Sequence, residues 1–168
     1  MRLIPRLAGS VLLLLMLACR GGSTGGDHLG AVGEPAPAFR LAALGGGEVD
    51  LSDYRGRVVL LDFWATWCKP CHEQARILAP LYEVLRGEGV EFLAIDSGED
   101  AETVQRYVAK NPFPYPVLLD PEDSVGLGLG VVALPTVVIV DTEGRVTYAN
   151  EGIADAETLR RELERVGA

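Results

Sequence analysis

Two of the three cysteines in the chain are separated by only two residues, within the segment Trp67-Cys68-Lys69-Pro70-Cys71. The segment follows residues 58–64, an almost wholly apolar run that predicts a buried strand, and a helical pattern begins at residue 69. A thiol at the first turn of a helix ionises readily, because the helix dipole and free backbone N–H groups stabilise a negative sulfur. We therefore predict that Cys68 is an attacking thiolate and that Cys71, one turn later, displaces substrate from a mixed disulfide.

The residues around the two cysteines favour the same chemistry. Pro70 lies where a helix tolerates proline, because the missing N–H would have no partner there in any case. Lys69 adds a positive charge near the thiolate, and Trp67 is suited to form an apolar rim that receives substrate. Trp64, inside the predicted strand, is expected in the core. No cofactor beyond the redox-active Cys68–Cys71 disulfide is expected.

The residues from Cys68 to His72 also fit C-x-x-C-H, the attachment signature of c-type haem. That alternative lacks a distal iron ligand, because the only other histidine is His28 and both methionines, Met1 and Met16, lie in the apolar N-terminal stretch. A zinc site would need a second pair of ligands, so we predict no metal. His72 is expected on the exposed first turn of the helix.

The composition argues against a nucleic-acid partner. The chain of 168 residues is 48% hydrophobic and suits one globular domain. With 15 Lys and Arg against 24 Asp and Glu, its formal net charge is -9. Recognition of nucleic acid through phosphate neutralisation is therefore not expected.

The first residues are typical of an export signal. Residues 1–18 contain Arg2 and Arg6 and then an uncharged apolar run, too short for a membrane-spanning helix, which predicts a signal peptide. The run ends at Met16-Leu17-Ala18-Cys19, which resembles the lipobox of bacterial lipoproteins, so Cys19 is the expected lipidation site. Residues 19–32 are rich in glycine and predict a flexible tether between a membrane surface and the domain.

The rest of the chain, residues 33–168, alternates strand and helix patterns. Apolar or β-branched runs predict strands at 48–51, 58–64, 90–96, 115–119, 136–140 and 145–149, the last two joined by a hairpin turn. Helical periodicity predicts helices at 69–87, at 101–109 and from residue 155. The segment from Gly126 to Gly130 is interpreted as a loop. Together these elements predict a single α/β sandwich domain with a mixed sheet.

The segment Asp62-Phe63-Trp64-Ala65-Thr66-Trp67-Cys68-Lys69-Pro70-Cys71 matches the thioredoxin pattern D-F-W-A-x-W-C-x-P-C at every fixed position. Leu134-Pro135-Thr136, just before a predicted strand, looks like the cis-proline loop of the same fold. Over residues 33–168 the chain resembles the exported thioredoxin-like thiol-disulfide oxidoreductases of the TlpA/ResA type. The resemblance implies a thioredoxin-like α/β/α sandwich with a mixed central sheet and a short N-terminal β extension.

The resemblance also implies roles for residues outside the cysteine motif. Leu134 and Pro135 would hold the backbone of a substrate peptide against the cysteine pair. Asp62 would accept the proton of Cys71, a role suited to a carboxyl whose pKa is raised by burial in an apolar strand.

The helix departs from the exported branch at two positions. That branch often reads C-x-x-E-x-P, whereas this chain has Gln74 and Arg76 at the Glu and Pro places. The buried helix carboxylate of the branch is therefore missing, and Glu73, one position off, should point away from its place. Proton transfer is expected to fall to Asp62.

The function implied by the resemblance is reduction of disulfides in substrate proteins, with apocytochrome c as a candidate. A membrane electron donor of the thiol-disulfide type would recharge the protein, which would be exported and membrane-tethered on the extracytoplasmic side. A thioredoxin-fold thiol peroxidase is the alternative, but such enzymes usually have Thr three residues before the reactive Cys, and Thr66 lies two before Cys68. A purely structural bridge is disfavoured, because so short a loop constrains the unfolded chain little.

Overall fold

The structure of the protein, a computed structural model, describes residues 32–167. The predicted signal peptide, Cys19 and nearly all of the predicted tether lie outside the described residues. The strands are β1 (Arg40–Ala43), β2 (Glu48–Asp50), β3 (Val58–Trp64), β4 (Val90–Ser97), β5 (Val117–Asp120), β6 (Thr136–Val140) and β7 (Val146–Glu151). The helices are α1 (Lys69–Leu85), α2 (Ala101–Val108), α3 (Ser124–Leu129) and α4 (Ala156–Arg165), with a 3-10 helix at Leu51–Tyr54. Within residues 32–167, every helix is too short or too polar to span a lipid bilayer.

The strand β3 lies inside one mixed sheet whose strand order is β2-β1-β5-β4-β3-β6-β7. It pairs in parallel with β4 and antiparallel with β6, so both of its edges are hydrogen-bonded. All of its residues are buried, as an unbroken apolar pattern predicts for a strand covered on both faces. The predicted mixed sheet is confirmed, and the β1–β2 hairpin, which pairs with β5, forms the N-terminal extension.

Helices cover both faces of the sheet, which confirms the predicted α/β/α sandwich. On one face, Leu60 of β3 belongs to a cluster with Leu78 of α1 and Leu159 of α4. On the other face, Leu61 belongs to a cluster with Val125 of α3. Because successive side chains of a strand point to opposite faces, the even-numbered residues of β3 face α1 and the odd-numbered residues face α3.

The segment interpreted as a loop between Gly126 and Gly130 is largely helical, since α3 extends to Leu129. That prediction was wrong because it counted the glycines as loop formers. A Cβ atom at Gly126 would lie 2.6 Å from Oδ1 of Asp123, so this position in the helix has no room for a side chain.

The start of α3 is held by a carboxylate from the preceding strand. Asp120, buried at the end of β5, accepts hydrogen bonds from the backbone N–H groups of Ser124 at 3.0 Å and Val125 at 2.8 Å. These N–H groups have no partner within the helix, so the carboxylate satisfies them and favours the helix dipole. The fixed helix then leads into residues 130–135, the loop that precedes β6.

The first described residues join the domain at the turn between β6 and β7. The N–H of Gly33 donates to the carbonyl oxygen of Val146 at 2.8 Å, and that of Ala36 donates to Gly144 at 2.9 Å. Because β6 begins beside the end of β3 and runs antiparallel to it, this turn lies at the opposite end of the sheet from Cys68.

Candidate active site

Cys68 and Cys71 lie where β3 leads into α1. Their sulfurs form a disulfide with an S–S distance of 1.97 Å, and their Cα atoms are 5.3 Å apart. Cys68 occupies the N-cap of α1, and its Sγ accepts a hydrogen bond from the backbone N–H of Cys71 at 3.2 Å. The same N–H can stabilise a negative sulfur when the pair is reduced, because helix N-termini favour anions. Both residues are buried, so contact with a partner depends on their exposed neighbours.

The motif residues expected to contact substrate are at the surface beside the disulfide. Trp67 is 68% exposed, and an exposed aromatic side chain of this size is typical of a contact surface. Lys69 and Pro70 are exposed in the first turn of α1. Trp64, by contrast, is buried in the core, which confirms its predicted position.

The peptide bond between Leu134 and Pro135 is cis, as the resemblance implies. The strand β6 begins at the next residue, Thr136, which is in register with Phe63 near the end of β3. Leu134 packs against the hydrophobic cluster that contains both cysteines. The structure therefore brings the cis-proline loop to the same end of the sheet as the disulfide.

Asp62 is buried in β3 on the face that α1 covers. Its Oδ2 accepts a 3.4 Å hydrogen bond from the hydroxyl of Tyr115, and its Oδ1 has no hydrogen-bond partner within the described part of the chain. Burial raises the pKa of Asp62 to about 7, although the bond from Tyr115 opposes the rise. This carboxyl therefore titrates near neutrality, which suits a group that takes up and returns a proton.

Gln74 is buried at the helix position where the exported branch often has Glu. The N–H of Ala154 donates to Oε1 of Gln74 at 2.7 Å, and Nε2 of Gln74 donates to the carbonyl oxygen of Ala154 at 3.3 Å. An ionised carboxylate could not donate the second bond, so the pairing suits an amide. Glu73 is exposed, as expected. A neutral side chain thus ties α1 to the segment before α4.

Sequence reasoning missed two carboxyls behind the loop that precedes Cys68. Glu99 accepts hydrogen bonds from the backbone N–H of Thr66 at 2.5 Å and from its hydroxyl at 2.6 Å. Asp96, buried in β4 beside Trp64, has no hydrogen-bond partner on either oxygen among residues 32–167. Burial raises the pKa of Asp96 to about 8, and the nearby negative charge of Glu99 adds to the rise. In the sequence, Asp96 could have been noticed as an acidic residue at the end of an otherwise mostly apolar predicted strand.

His72 is half-buried rather than exposed, which corrects the prediction for the first helical turn. Its ring stacks on Tyr107 of α2 with 5.2 Å between ring centres, and its Nε2 lies 3.1 Å from the carbonyl oxygen of Thr66. The C-x-x-C-H alternative needs this ring as an iron ligand, whereas here it packs into the fold. In the described range 32–167, no group of three or more His, Cys, Asp or Glu side chains is arranged to hold a metal ion.

The sequence profile of the Redoxin family matches residues 31–166. The thiol-disulfide oxidoreductase ResA of Geobacillus thermodenitrificans (strain NG80-2) is 36% identical over 170 residues, covering 98% of this chain and 96% of the relative. The protein of the same name from Geobacillus kaustophilus (strain HTA426) is 38% identical over 136 residues, covering 81% of this chain and 78% of the relative.

A solved structure supports the same relationship. The crystal structure of a DsbF homologue from Corynebacterium diphtheriae matches with a TM-score of 0.71 at 26% sequence identity, covering 79% of this chain and 86% of that one. The sequence match, the thioredoxin-like fold and the cysteine pair agree. The chain therefore belongs to the Redoxin family, among the ResA-type thiol-disulfide oxidoreductases.

Proposed function

We propose that the protein reduces disulfides in other proteins, with Cys68 and Cys71 as the reacting pair. The observation that carries this proposal is the disulfide at the N-terminus of α1, where Sγ of Cys68 accepts a backbone hydrogen bond. A sulfur held there is a stable anion and therefore both a nucleophile and a leaving group in exchange reactions.

The reaction consists of two successive thiol–disulfide exchanges. The Cys68 thiolate attacks one sulfur of the substrate disulfide and releases the other substrate sulfur as a thiolate. The Cys71 thiolate then attacks the Cys68 sulfur, releases the second substrate thiolate and leaves the Cys68–Cys71 disulfide. The substrate gains two electrons, and water supplies the two protons that its thiolates take up. Asp62 accepts the proton of the Cys71 thiol before the second exchange.

Substrate binding in this proposal uses the exposed residues around the disulfide. Trp67, Lys69 and Pro70 contact the substrate beside its reacting sulfur. The backbone at Leu134, directly before Pro135, pairs with an extended substrate segment.

The remaining parts of the proposal concern direction, partners and location. The segment Lys69-Pro70 resembles the reducing members of the family, so the protein delivers electrons to its clients, with apocytochrome c as the proposed client. A membrane electron donor of the thiol-disulfide type restores the dithiol. The protein is exported and held on the extracytoplasmic membrane surface through Cys19.

The ionisation of Cys68 is tested by alkylation of a Cys71→Ser variant at pH 7. We expect Cys68 to react with iodoacetamide at least about threefold faster than the thiol of glutathione, because its larger thiolate fraction outweighs its lower nucleophilicity. The matched control is Cys68→Ser, in which the remaining Cys71 should react no faster than glutathione. Mass spectrometry follows both rates, and equal rates for Cys68 and glutathione would remove the basis of the mechanism.

The same Cys71→Ser variant should trap a cysteine-containing substrate peptide as a mixed disulfide with Cys68. Hydrogen exchange at the Leu134 amide should be slower in this complex than in the free variant, because the substrate backbone covers it. An unchanged exchange rate would count against the binding role of Leu134 and Pro135.

The direction of electron flow is tested by the redox potential of the cysteine pair, measured by equilibration with glutathione. We expect a value closer to the roughly -270 mV of thioredoxin than to the roughly -120 mV of DsbA, a strong oxidant. A value near the second figure would assign oxidation rather than reduction. A Cys68→Ser variant, which cannot form the pair, gives the baseline.

The role of Asp62 is tested by the pH dependence of the second exchange, followed as release of reduced peptide. The rate should rise with pH through about 7, because only ionised Asp62 can accept a proton. Asp62→Asn should move this rise to higher pH, toward the ordinary thiol pKa of about 8.5, and slow release about tenfold at pH 7. Asp141→Asn, in the turn at the far end of the sheet, is the control, and a rise still centred near pH 7 in Asp62→Asn would exclude the assigned role.

Stability gives an independent measurement on Asp62. The folded protein holds a proton on this carboxyl up to about pH 7, whereas the unfolded chain loses it near the ordinary pKa of 3.8. The free energy of unfolding contributed by this group is therefore full below about pH 4 and falls as pH rises to about 7. Asp96, whose pKa is raised to about 8, gives a second decline of the same sign. Asp62→Asn should therefore make the decline between about pH 4 and 7 shallower without abolishing it, which urea denaturation across that range would measure.

The membrane anchor is tested by Cys19→Ala in the full-length chain. The wild-type protein should remain with membranes in high salt and be released by detergent, because each buried CH₂ of an acyl chain adds about 0.8 kcal/mol. The variant should appear in the soluble fraction, and mass spectrometry of the wild type should show lipid on Cys19. A wild-type protein without added mass at Cys19 would contradict the anchor.

A further inference from the structure

A groove runs along α1, between this helix and the segment from Pro112 to Pro114. Two adjoining cavities of about 210 and 370 Å³ form it, and they share this segment and Ala79 in their lining. One end of the groove lies at His72 and Tyr107, and the other end lies at Glu83.

The walls of the groove are mostly apolar. Ala75 and Ala79 leave room on the α1 side because their side chains are small. Phe113 forms the opposite wall and is fixed by packing on Trp64, with 4.7 Å between ring centres. The prolines flanking Phe113 have no N–H to offer a partner backbone, so this wall contacts a ligand through side chains and not by strand pairing.

The charged residues near the groove favour a negative ligand, although the net charge of the chain is -9. Arg76 lines the groove and has no carboxylate partner in the described part of the chain. Lys69, Lys110 and Glu73 do not line the groove, although each lies within one helical turn of a lining residue in the sequence. Glu83 also lines the groove, but Arg86 pairs with it at 3.0 Å. Arg76 is therefore available for an incoming carboxylate.

The groove begins next to the disulfide. His72 directly follows Cys71, and its Nε2 contacts the carbonyl oxygen of Thr66 in the loop before Cys68. Since a helix rises about 1.5 Å per residue, Ala79 lies about 12 Å along α1 from Cys71. An extended segment of about four residues spans that distance. A polypeptide joined to Cys68 can therefore reach the groove with the residues beside its own cysteine.

We propose that the groove binds the partner polypeptide beside its reactive cysteine. One apolar side chain of the partner sits between Ala79 and Phe113, and one carboxylate pairs with Arg76. This inference rests on the proposed disulfide exchange and adds a preference among partner sequences to it. The apolar contact supplies affinity, and the charge pair selects partners and fixes their position along α1.

Two short synthetic peptides test the preference. Each peptide has one cysteine, present as a mixed disulfide with 2-mercaptoethanol. On both sides of the cysteine, at positions four and five, Phe stands next to a charged residue. That charged residue is Asp in one peptide and Lys in the other. Hydroxyethyl disulfide, small and neutral, is the reference substrate. Each rate is measured over a single turnover of the pre-reduced protein, which supplies the two electrons, and kcat and KM come from its dependence on substrate concentration. We expect kcat/KM about tenfold higher for the Asp peptide than for the Lys peptide, with the difference mainly in KM.

Substitutions in the protein test whether the preference for the Asp peptide arises in the groove. Arg76→Glu should reverse it, and Ala79→Phe, which fills the groove without changing its charge, should lower kcat/KM for the Asp peptide about tenfold relative to hydroxyethyl disulfide. Arg160→Glu, the same charge change on the exposed side of α4, is the matched control and should keep the wild-type preference. Urea midpoints for each variant verify that it is folded.

The outcomes separate this inference from the proposed function. Three results would overturn the binding role of the groove and leave disulfide exchange in place. They are equal rates for the two peptides, a preference for the Lys peptide, and a preference that is unchanged in Arg76→Glu. A reduced wild-type protein that fails to cleave even hydroxyethyl disulfide would overturn the exchange itself.

Discussion

The hydrogen bond from the N–H of Cys71 to Sγ of Cys68 is the interaction on which the rest of the site depends. It helps a sulfur anion only if the first turn of α1 stays in place, because the stabilisation by a helix end fades within about one turn. The fold meets this condition on both sides of the cysteines. Before them, β3 is paired on both edges and covered on both faces, and after them Leu78 and Leu81 anchor α1 in the core. The sulfur therefore sits between two rigid elements.

Three buried polar side chains differ in the number and strength of their hydrogen bonds. Asp120 accepts several backbone N–H bonds and serves structure. Gln74 pairs both ends of its amide with Ala154, and the N–H of the nearby Gly152 donates to the carbonyl oxygen of Pro135 at 2.8 Å. The helix with the cysteines and the cis-proline loop are thereby linked through one short segment. Among residues 32–167, Asp62 has only one hydrogen bond, of 3.4 Å, and a carboxyl with so few partners changes its protonation easily.

The distance in sequence between interacting residues separates what could be predicted from what could not. The burial of β3, the helix after Cys68 and the exposure of Trp67 follow from local patterns, and the cis bond before Pro135 followed from the family resemblance. The partner of Gln74 lies 80 residues away and that of Thr66 lies 33 residues away, so no local pattern indicates them. The half-burial of His72 has the same origin, since Tyr107 covers it from α2. The helix α3 was missed because its glycines were counted as loop formers and because Asp120, which caps it, lies outside the helix.

The hydrogen bonds of Gly33 and Ala36 place the start of the described domain at the turn between β6 and β7. The length of β6 alone, about 17 Å, separates this corner from the disulfide. With the lipid proposed for Cys19, the tether would join the domain at the end of the sheet opposite the disulfide, so the anchor itself would not cover the dithiol. Clients in solution would then reach the dithiol from the side away from the anchor. A donor embedded in the bilayer would need either a thiol that projects beyond the lipid headgroups or a rotation of the domain on its tether.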